Sequence, residues 1–433
     1  MALKGSEAVA YLYLQVENKG PLHIGNGEQE IIIDEYYNKP YIPATGIAGA
    51  IKAYFKETGK ANQALAYFGS EKRTQDRNSS KVNFYDSYVE ETVIELRPGL
   101  KINQCTGSNE EGHYFNTEYL SSGCHFELKL EAFIKEEEIQ VIEELYVEIV
   151  QALSEGALRI GGKKTSGGGI LEIKSAQKAI LNLRQREHLI SYVKKDINKH
   201  LQPIQIEKTS GKRNWISFEL DCETNTSILI KGQATQNNLE ADGKPIQNGK
   251  LEYIIPGTSL KGAMRGHARK VTNFLNKELL LKELFGHETT EKQETEQCIG
   301  SVYFEDIVIQ NHKVTNSNRI KIDRFRGGVV SKALMYEQAV EGTLKVRLIY
   351  KVGSREQLDE TEKKSIALIA FLLRDLGDGT LKLGSGQGIG RGMVINSTLK
   401  IQGLSEEIVL DLVNPSQSKQ LGLLNEYAKV LNA

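Results

Sequence analysis

Three cationic side chains recur four residues apart in a predicted helix in the second half of the chain. Lys261, Arg265 and Arg269 fall on one face of this helix, which we expect to begin at Thr258 or Ser259. The first backbone N–H groups of a helix and its dipole favour a bound anion. A cationic row leading away from that end would suit successive phosphates of a nucleic acid strand. The alternative is a solvated cationic face without a ligand.

Two glycine-rich segments, Gly161–Gly169 and Gly384–Gly392, could form a second part of such a site. Glycine places no side chain between its backbone and a ligand, and it adopts positive φ readily. Each segment follows a predicted helix and precedes a predicted strand, the reverse of a dinucleotide-binding turn, so we expect no nucleotide cofactor. A tight connection is the alternative reading. The candidate phosphate contacts are Lys163, Lys164, Gly386, Gly388 and Arg391.

The glycine-rich segments belong to an internal repeat of the sequence. Residues 41–52 align with 254–265, residues 82–86 align with 302–306, and Phe68-Gly69 aligns with Phe285-Gly286. Glu118 and Gly123 align with Glu337 and Gly342, and the offset drifts only from 213 to about 223 residues. The chain therefore reads as a duplication, in which Lys52 and Lys56 are the counterparts of Arg265 and Arg269. Two unrelated domains with similar loops are the alternative.

Hydrophobic patterning gives both repeats the order β-α-β followed by β-α-β, which is that of a ferredoxin-like or RRM-like fold. We therefore predict an α+β protein with two tandem domains of this type. The predicted boundaries are 1–175 for the first repeat, 176–212 for a helical linker, 213–403 for the second repeat and 404–433 for a C-terminal helical tail.

Composition excludes several classes of protein. Hydrophobic residues make up 39% and charged residues 26% of 433 residues, unlike a disordered, collagenous or coiled-coil chain. The formal net charge is −1, so an anionic partner must be held by local patches. Neither a secretory signal nor an apolar run near 20 residues is present, and we expect a cytoplasmic protein without membrane contact. Cys105, His113, Cys124 and His125 lack the close pairing of zinc ligands.

Three motifs together resemble the RAMP superfamily, and more narrowly the backbone subunits of type III CRISPR effector complexes. They are Ile-Pro-Gly-Thr-Ser-Leu-Lys-Gly-Ala-Met-Arg at 255–265, Leu-Phe-Gly at 284–286 and the glycine-rich segment at 383–392. Residues 322–326 followed by Glu337 are similar to the thumb hairpin of those subunits. The first repeat departs from the pattern at Ala44, Ala48 and Asn103, where the second has Gly257, Lys261 and Asp323.

This resemblance implies binding of a guide CRISPR RNA by the basic helix and glycine loop, and a thumb, with Arg324 and Arg326, that displaces a nucleotide. It also implies partners, namely complementary target RNA and other effector subunits. In catalytic relatives an aspartate before the Ile-Pro strand cleaves target RNA with Mg²⁺ or another divalent cation, and Asp242 matches that position. Asp-Gly is also a common turn dipeptide. At the first repeat's equivalent spacing stands Gln29, flanked by Glu28 and Glu30.

Three alternatives to a target-cleaving subunit stay open at this point. The chain could be a structural or capping RNA-binding subunit without chemistry. It could be a stand-alone guide-processing endonuclease of the same superfamily, for which His267 would be the candidate histidine. A carbohydrate- or nucleotide-binding protein is the third alternative, although no motif supports it.

Overall fold

The computed structural model describes residues 5–25, 29–69, 79–103, 109–206, 214–232, 241–287 and 299–432. The chain forms two compact units. Unit 1 comprises residues 1–95, 118–164 and 168–209, and unit 2 comprises residues 96–117, 165–167 and 210–433. In the part of the chain that the structure describes, no helix combines the length and apolar character needed to cross a bilayer.

The first half of the chain contributes ten strands and four helices among its described residues. Its strands are β1 (Ala8–Asn18), β2 (Ile33–Asp34), β3 (Lys39–Ile42), β4 (Val82–Phe84), β5 (Ser87–Glu90), β6 (Ile94–Ile102), β7 (Asn109–Leu120), β8 (His125–Ile134), β9 (Leu171–Asn182) and β10 (Gln202–Pro203). Its helices are α1 (Ala44–Glu57), α2 (Ala61–Phe68), α3 (Ile139–Ser154) and α4 (Arg186–Lys194).

The sheet of unit 1 has β1 between β8 and β9, with β4 beside β8, and every pairing is antiparallel. This order is that of a ferredoxin-like sheet. Leu12 pairs with Leu130, and both side chains are buried in the core. Helix α3 packs on the sheet through residues at helical spacing, among them Ile142, Leu145 and Ile149. The core therefore lies between the sheet and its two long helices.

The second half repeats this plan with eight strands and four helices among its described residues. Its strands are β11 (Trp215–Thr224), β12 (Ile254–Ile255), β13 (Val302–Phe304), β14 (Ile307–Val308), β15 (Gln310–Ile322), β16 (Val329–Lys351), β17 (Val394–Gln402) and β18 (Ile408–Asp411). Its helices are α5 (Gly257–Phe274), α6 (Glu278–Phe285), α7 (Glu360–Gly377) and α8 (Leu421–Asn432).

The sheet of unit 2 has the antiparallel order β13-β16-β11-β17-β18. Helix α7 buries Ile366, Ile369 and Leu373 against it, as the sequence spacing predicts. The predicted fold class, an α+β protein with two antiparallel-sheet domains, is confirmed. Strand β16 extends beyond the sheet and pairs with β15, and we call this projection the second hairpin. Strands β6 and β7 pair as the first hairpin.

Three local predictions are wrong. The segment from Ala176 was predicted to be helical, but β9 runs to Asn182 and the helix that follows spans only α4. The C-terminal tail is not wholly helical, since β18 pairs with β17 before α8 begins. Helix α5 begins at Gly257, directly after Pro256 and before Thr258 and Ser259, where the sequence predicted its start. Proline suits this boundary because its φ is already near the helical value.

Candidate nucleic-acid interface

The glycine-rich segment of the second repeat follows a backbone path that requires glycine at several positions. Gly384, Gly386, Gly390 and Gly392 all have positive φ. A Cβ at Gly384 would lie 2.6 Å from the carbonyl oxygen of Leu229, and one at Gly392 would overlap the preceding backbone. These glycines are therefore required by the path of the loop. Its tip, a 3₁₀ turn at Gln387–Ile389, is exposed, and Gly388 faces open space.

Arg391 does not point into solvent from this loop. Its guanidinium donates to Glu337 at 2.8 Å and to the Ser317 hydroxyl at 2.6 Å, and the residue is 8% exposed. Lys231, at 3.1 Å, and Arg319 also pair with the Glu337 carboxylate, which is 3% exposed. The sequence predicts that Arg391 contacts RNA, whereas in the structure its guanidinium binds Glu337 and Ser317 of the second hairpin.

Opposing effects act on the ionisation of Glu337. Burial raises its pKa, but hydrogen bonds from Arg391 and Lys231 outweigh burial and hold the pKa below the ordinary value. Glu337 is therefore a buried carboxylate that stays ionised at neutral pH. Arg391 of the glycine loop binds Glu337 and Ser317, and Arg319 of the second hairpin pairs with the same Glu337 carboxylate. These bonds connect the glycine loop to the base of the second hairpin.

Asp242 lies beside this cluster, and its carboxylate is oriented by the same hairpin. The N–H of Tyr336 donates to Oδ2 of Asp242 at 2.7 Å, and the N–H of Asp242 donates to the carbonyl of Tyr336 at 2.7 Å. Gly243 accepts the N–H of Gln338 at 2.9 Å. Asp242 is exposed, and no described residue bonds to its Oδ1. One carboxylate oxygen is thus fixed by backbone, and the other is left without a bond to a described residue.

The three cations of α5 have different environments. Lys261 donates to the Thr165 hydroxyl at 2.8 Å, within unit 2. Arg265 donates to the carbonyl of Gly286 at 3.3 Å, and Arg269 is half-buried. Arg265 and Arg269 line a groove, and Lys261 is engaged with a neighbouring loop.

The groove contains cations that the sequence reading missed. Lys282 and His287 line it with Arg265 and Arg269, and Glu278 is its one acidic residue among those described. Lys282 lies in the next helix, α6, so no spacing rule within α5 could have found it. Three cations and a histidine against one acid among its described residues suit a bound anion.

The start of α5 is not a free anion site. Asp306 accepts the N–H of Gly257 at 2.8 Å and pairs with Arg97 at 2.6 Å, all within unit 2. The N–H of Ser259 donates to Pro256 in the first turn. The sequence predicted that the first N–H groups of this helix would bind an anion, but the N–H of Gly257 is bound to Asp306. Thr258 is exposed and Ser259 half-buried, so both side chains stay candidates for phosphate contact.

Hydrogen bonds correct the register between the repeats. Gln29 accepts the N–H of Glu118 at 2.8 Å, as Gly243 accepts that of Gln338 at 2.9 Å. Gln29 is therefore the counterpart of Gly243, and the sequence alignment of Glu118 with Glu337 is shifted by one residue.

This register has two consequences for the first repeat. Glu28, which precedes Gln29 in sequence, is the counterpart of Asp242, and it lies outside the described residues. The counterpart of the buried Glu337 is Thr117, itself buried. Glu30 is exposed.

The predicted phosphate contacts of the first repeat are all lysines. Lys56 and Lys163 are exposed, and Lys52 and Lys164 are half-buried. Lys163 has φ +54°, and the carbonyl of Lys164 accepts from the guanidinium of Arg159 at 2.9 Å.

The tip of the second hairpin presents charge and an aromatic ring together. Asp323 turns the chain by accepting the N–H groups of Phe325 and Arg326 at 2.9 and 3.3 Å. Arg324 and Arg326 are exposed, and Phe325 is fully exposed. A guanidinium pair flanking an exposed ring could contact phosphates and stack on a base.

Other sequence candidates have ordinary internal roles or are undescribed. His267 binds the Asp375 carboxylate at 2.8 Å in a half-buried position, which is a structural pairing. Cys124 and Cys222 are buried thiols, and burial raises the pKa of Cys222 to about 12. Cys105 and the side chain of His113 lie outside the described part. Among the described residues, no three carboxylate, histidine or cysteine side chains cluster as metal ligands.

The fold and site together define a tandem ferredoxin-like protein with glycine loops after α3 and α7. The family model of the RAMP superfamily matches residues 15–172 and 221–394, which is most of the chain. The chain therefore belongs to the RAMP superfamily.

Comparison with individual proteins adds little to this assignment. None of the curated proteins matches. Among solved structures, a chain of "Cryo-EM structure of the Type III-B Cmr-beta bound to cognate target RNA" is similar, with 17% identity and a TM-score of 0.31. The likeness covers 39% of this chain and 60% of that chain.

Proposed function

We propose that this protein is a guide-RNA-binding backbone subunit of a type III CRISPR effector complex and that its second repeat cleaves guide-paired target RNA. Membership of the RAMP superfamily and the motif resemblance support the class of assembly. The observation that carries the cleavage proposal is the exposed Asp242 carboxylate, oriented by the Tyr336 N–H at the base of the second hairpin.

RNA binding is proposed to use the groove beside α5 and the hairpin tip. Arg265, Arg269 and Lys282 would contact successive phosphates, since a row of cations matches the charge spacing of a strand. The exposed tip of the glycine loop would approach the backbone closely, with Gly386 and Gly388 offering no side-chain obstruction. Arg391 is proposed to position this loop rather than to bind phosphate.

Cleavage is proposed to depend on Oδ1 of Asp242, the carboxylate oxygen that Tyr336 does not bind. This residue fits a divalent cation as a single ligand, because its Oδ1 has no bond to a described residue and Mg²⁺ takes oxygen ligands largely from waters and phosphates. Such a cation would lower the pKa of a 2′-hydroxyl or stabilise charge on the phosphate. Asp242 itself would fix the position of the cation, and the hairpin N–H would fix Asp242.

A non-catalytic role is the second candidate. The same contact that orients Asp242, a mutual pair of hydrogen bonds with Tyr336, is also what a purely structural Asp-Gly turn would make. In that case the chain would bind RNA as scaffold or cap.

The decisive experiment uses the assembled complex, a labelled RNA complementary to the guide, and Mg²⁺. We expect Asp242→Ala to remove one cleavage product by at least 10²-fold while guide RNA is retained. Asp196→Ala, at an exposed aspartate of a surface ion pair, is the matched control and should leave all products unchanged. An unchanged product pattern for Asp242→Ala with normal guide content would reject cleavage at the second repeat and leave the scaffold role.

A further inference from the structure

Unit 2 contains a docked loop whose contacts are specific. The hydroxyl of Thr165 accepts from Lys261 at 2.8 Å, and its carbonyl accepts the N–H of Phe304 at 3.2 Å. A Cβ at Gly257 would lie 2.8 Å from the carbonyl of Ser166, closer than real Cβ contacts come. The loop can approach the start of α5 only because residue 257 is glycine.

An ion pair completes this docking. Arg97, on the first hairpin, reaches Asp306 at 2.6 Å, and the two side chains are only 11% and 14% exposed. Asp306 also accepts the Gly257 N–H, so the guanidinium lies at the same helix start as the loop. Hydrogen bonds between two charged groups that are shielded from solvent are among the stronger hydrogen bonds in proteins. The docking set is therefore Thr165 and Arg97 on one side, and Gly257, Lys261 and Asp306 on the other.

Two of the three residues that contact the loop and Arg97 in unit 2 are different at the equivalent positions of the first repeat. Alignment of 41–52 with 254–265 places Ala44 at the position of Gly257 and Ala48 at that of Lys261. Only the aspartate is kept: Asp86 accepts the Ala44 N–H at 2.7 Å, is exposed, and has no other partner among the described residues. A loop docking as in unit 2 would meet the Ala44 methyl group and lack the lysine.

The loop residue that accepts the lysine N–H, Thr165, has no equivalent hydroxyl residue in the second repeat. A Cβ at Gly169 and one at Gly392 would each overlap the carbonyl oxygen that faces it nine residues earlier, so these two glycines are counterparts. Counting back four residues from each aligns Thr165 with Gly388. Gly388 has no hydroxyl to accept a lysine N–H.

The donating arginine has changed as well. Glu91, three residues before β6, and Asn311, the second residue of β15, take the same left-handed conformation, with φ 51° and 48°, which aligns the two hairpins. Six residues further along, Arg97 is matched by Ser317. The second hairpin therefore has no guanidinium at this position, and the hydroxyl of Ser317 is already bound by Arg391.

We propose that the start of α1 does not accept the glycine loop and hairpin of a second copy of this chain and instead receives a different protein chain. Four of the five docking residues differ between these two surfaces and the docked set of unit 2, two on each side. At the start of α1, the matching neighbour offers an arginine to Asp86 and keeps its backbone clear of Ala44. The idea that neighbours exist rests on the proposed function, but the selection against a second copy rests on the docking set alone.

The test uses two full-length copies with different affinity tags, co-expressed without guide RNA. We expect no co-purification of the wild-type pair. We expect the variant A44G/A48K/G388T, which restores three docking residues, to co-purify at least tenfold more, with a mass that rises with concentration. Ser317 is left unchanged because it binds Arg391. Matching thermal melting of the variant and wild type establishes that both are folded.

Each outcome decides the proposal. Co-purification of wild-type copies would overturn it. A folded variant that stays as separate copies would also overturn it, because the three restored positions would then not govern docking. Neither result depends on RNA cleavage or guide binding, so failure here is separate from failure of the proposed function.

Discussion

Glu337 carries more structural connections than any other acid in the second repeat's site. It is almost fully buried and pairs with Arg391, Lys231 and Arg319. Removing one partner of a buried pair leaves an uncompensated charge, which destabilises more than removing both. The arrangement thus makes Glu337 and Arg391 an interdependent pair.

Single neutral substitutions in this pair should be strongly destabilising. We expect Glu337→Gln to lower the free energy of unfolding by about 3–5 kcal/mol, Arg391→Gln to lower it by less because Lys231 and Arg319 still pair with Glu337, and the double variant to lower it by less than their sum. Urea unfolding measures this coupling. Glu356→Gln, at an exposed site, is the control and should shift stability by less than about 0.5 kcal/mol. Strict additivity of the two substitutions would contradict the pairing.

The lowered pKa of Glu337 predicts a pH dependence. Because its pKa is lower in the folded than in the unfolded chain, it stabilises the fold above the unfolded value of about 4.3, and this stability is lost as pH falls through the folded pKa. Glu337→Gln should therefore show a shallower loss of melting temperature on acidification than wild type. Parallel curves for the two proteins would exclude this contribution.

At the scale of elements, the glycine loop should tolerate substitution at its tip but not at its ends. Gly392 has φ +88° and no space for a Cβ, whereas Gly388 has neither restriction. We expect Gly392→Ala to destabilise by about 2 kcal/mol or more and Gly388→Ala by under about 1 kcal/mol. Thermal melting of both variants is the measurement. Equal effects would mean that the loop relaxes freely.

The second hairpin should contribute to RNA affinity without contributing to stability. Arg324 and Arg326 are exposed at its tip, so replacing both by Ala should leave the melting temperature within about 1 °C. In a guide RNA titration at several salt concentrations, we expect weaker binding and a salt slope reduced by about 2. Lys199→Ala, at an exposed lysine that pairs with Asp196, is the comparison and should leave the slope unchanged. An unchanged slope would remove the tip from the interface.

At the scale of the whole molecule, the two repeats share a fold but differ in chemistry. The Arg391–Glu337 pair is replaced as a pair in the first repeat, since Gly168 and Thr117 stand at the two positions. Joint replacement avoids the penalty of a lone buried charge. With a net charge of −1, the chain has no overall attraction to RNA, so its cationic groove and hairpin tip must act locally.

The sequence by itself determined the duplication, the fold class and the location of the glycine loops. The apolar spacing in α3 and α7 and the order of the motifs are local properties of the sequence, so they can be recognised without knowing the tertiary contacts. It also identified Asp242 as a candidate. The extent of β9 was missed because Ala176 begins a stretch whose strand pairing depends on distant β1.

Only the tertiary structure decided which cations are available. Arg391 and Lys261 read as phosphate ligands in sequence, yet one pairs with Glu337 and the other with Thr165. Conversely, Lys282 joins Arg265 only through the packing of α6 on α5. The physical reason is that a charge is satisfied by whatever folding brings within about 3 Å, and residue type and spacing along the chain do not encode that partner.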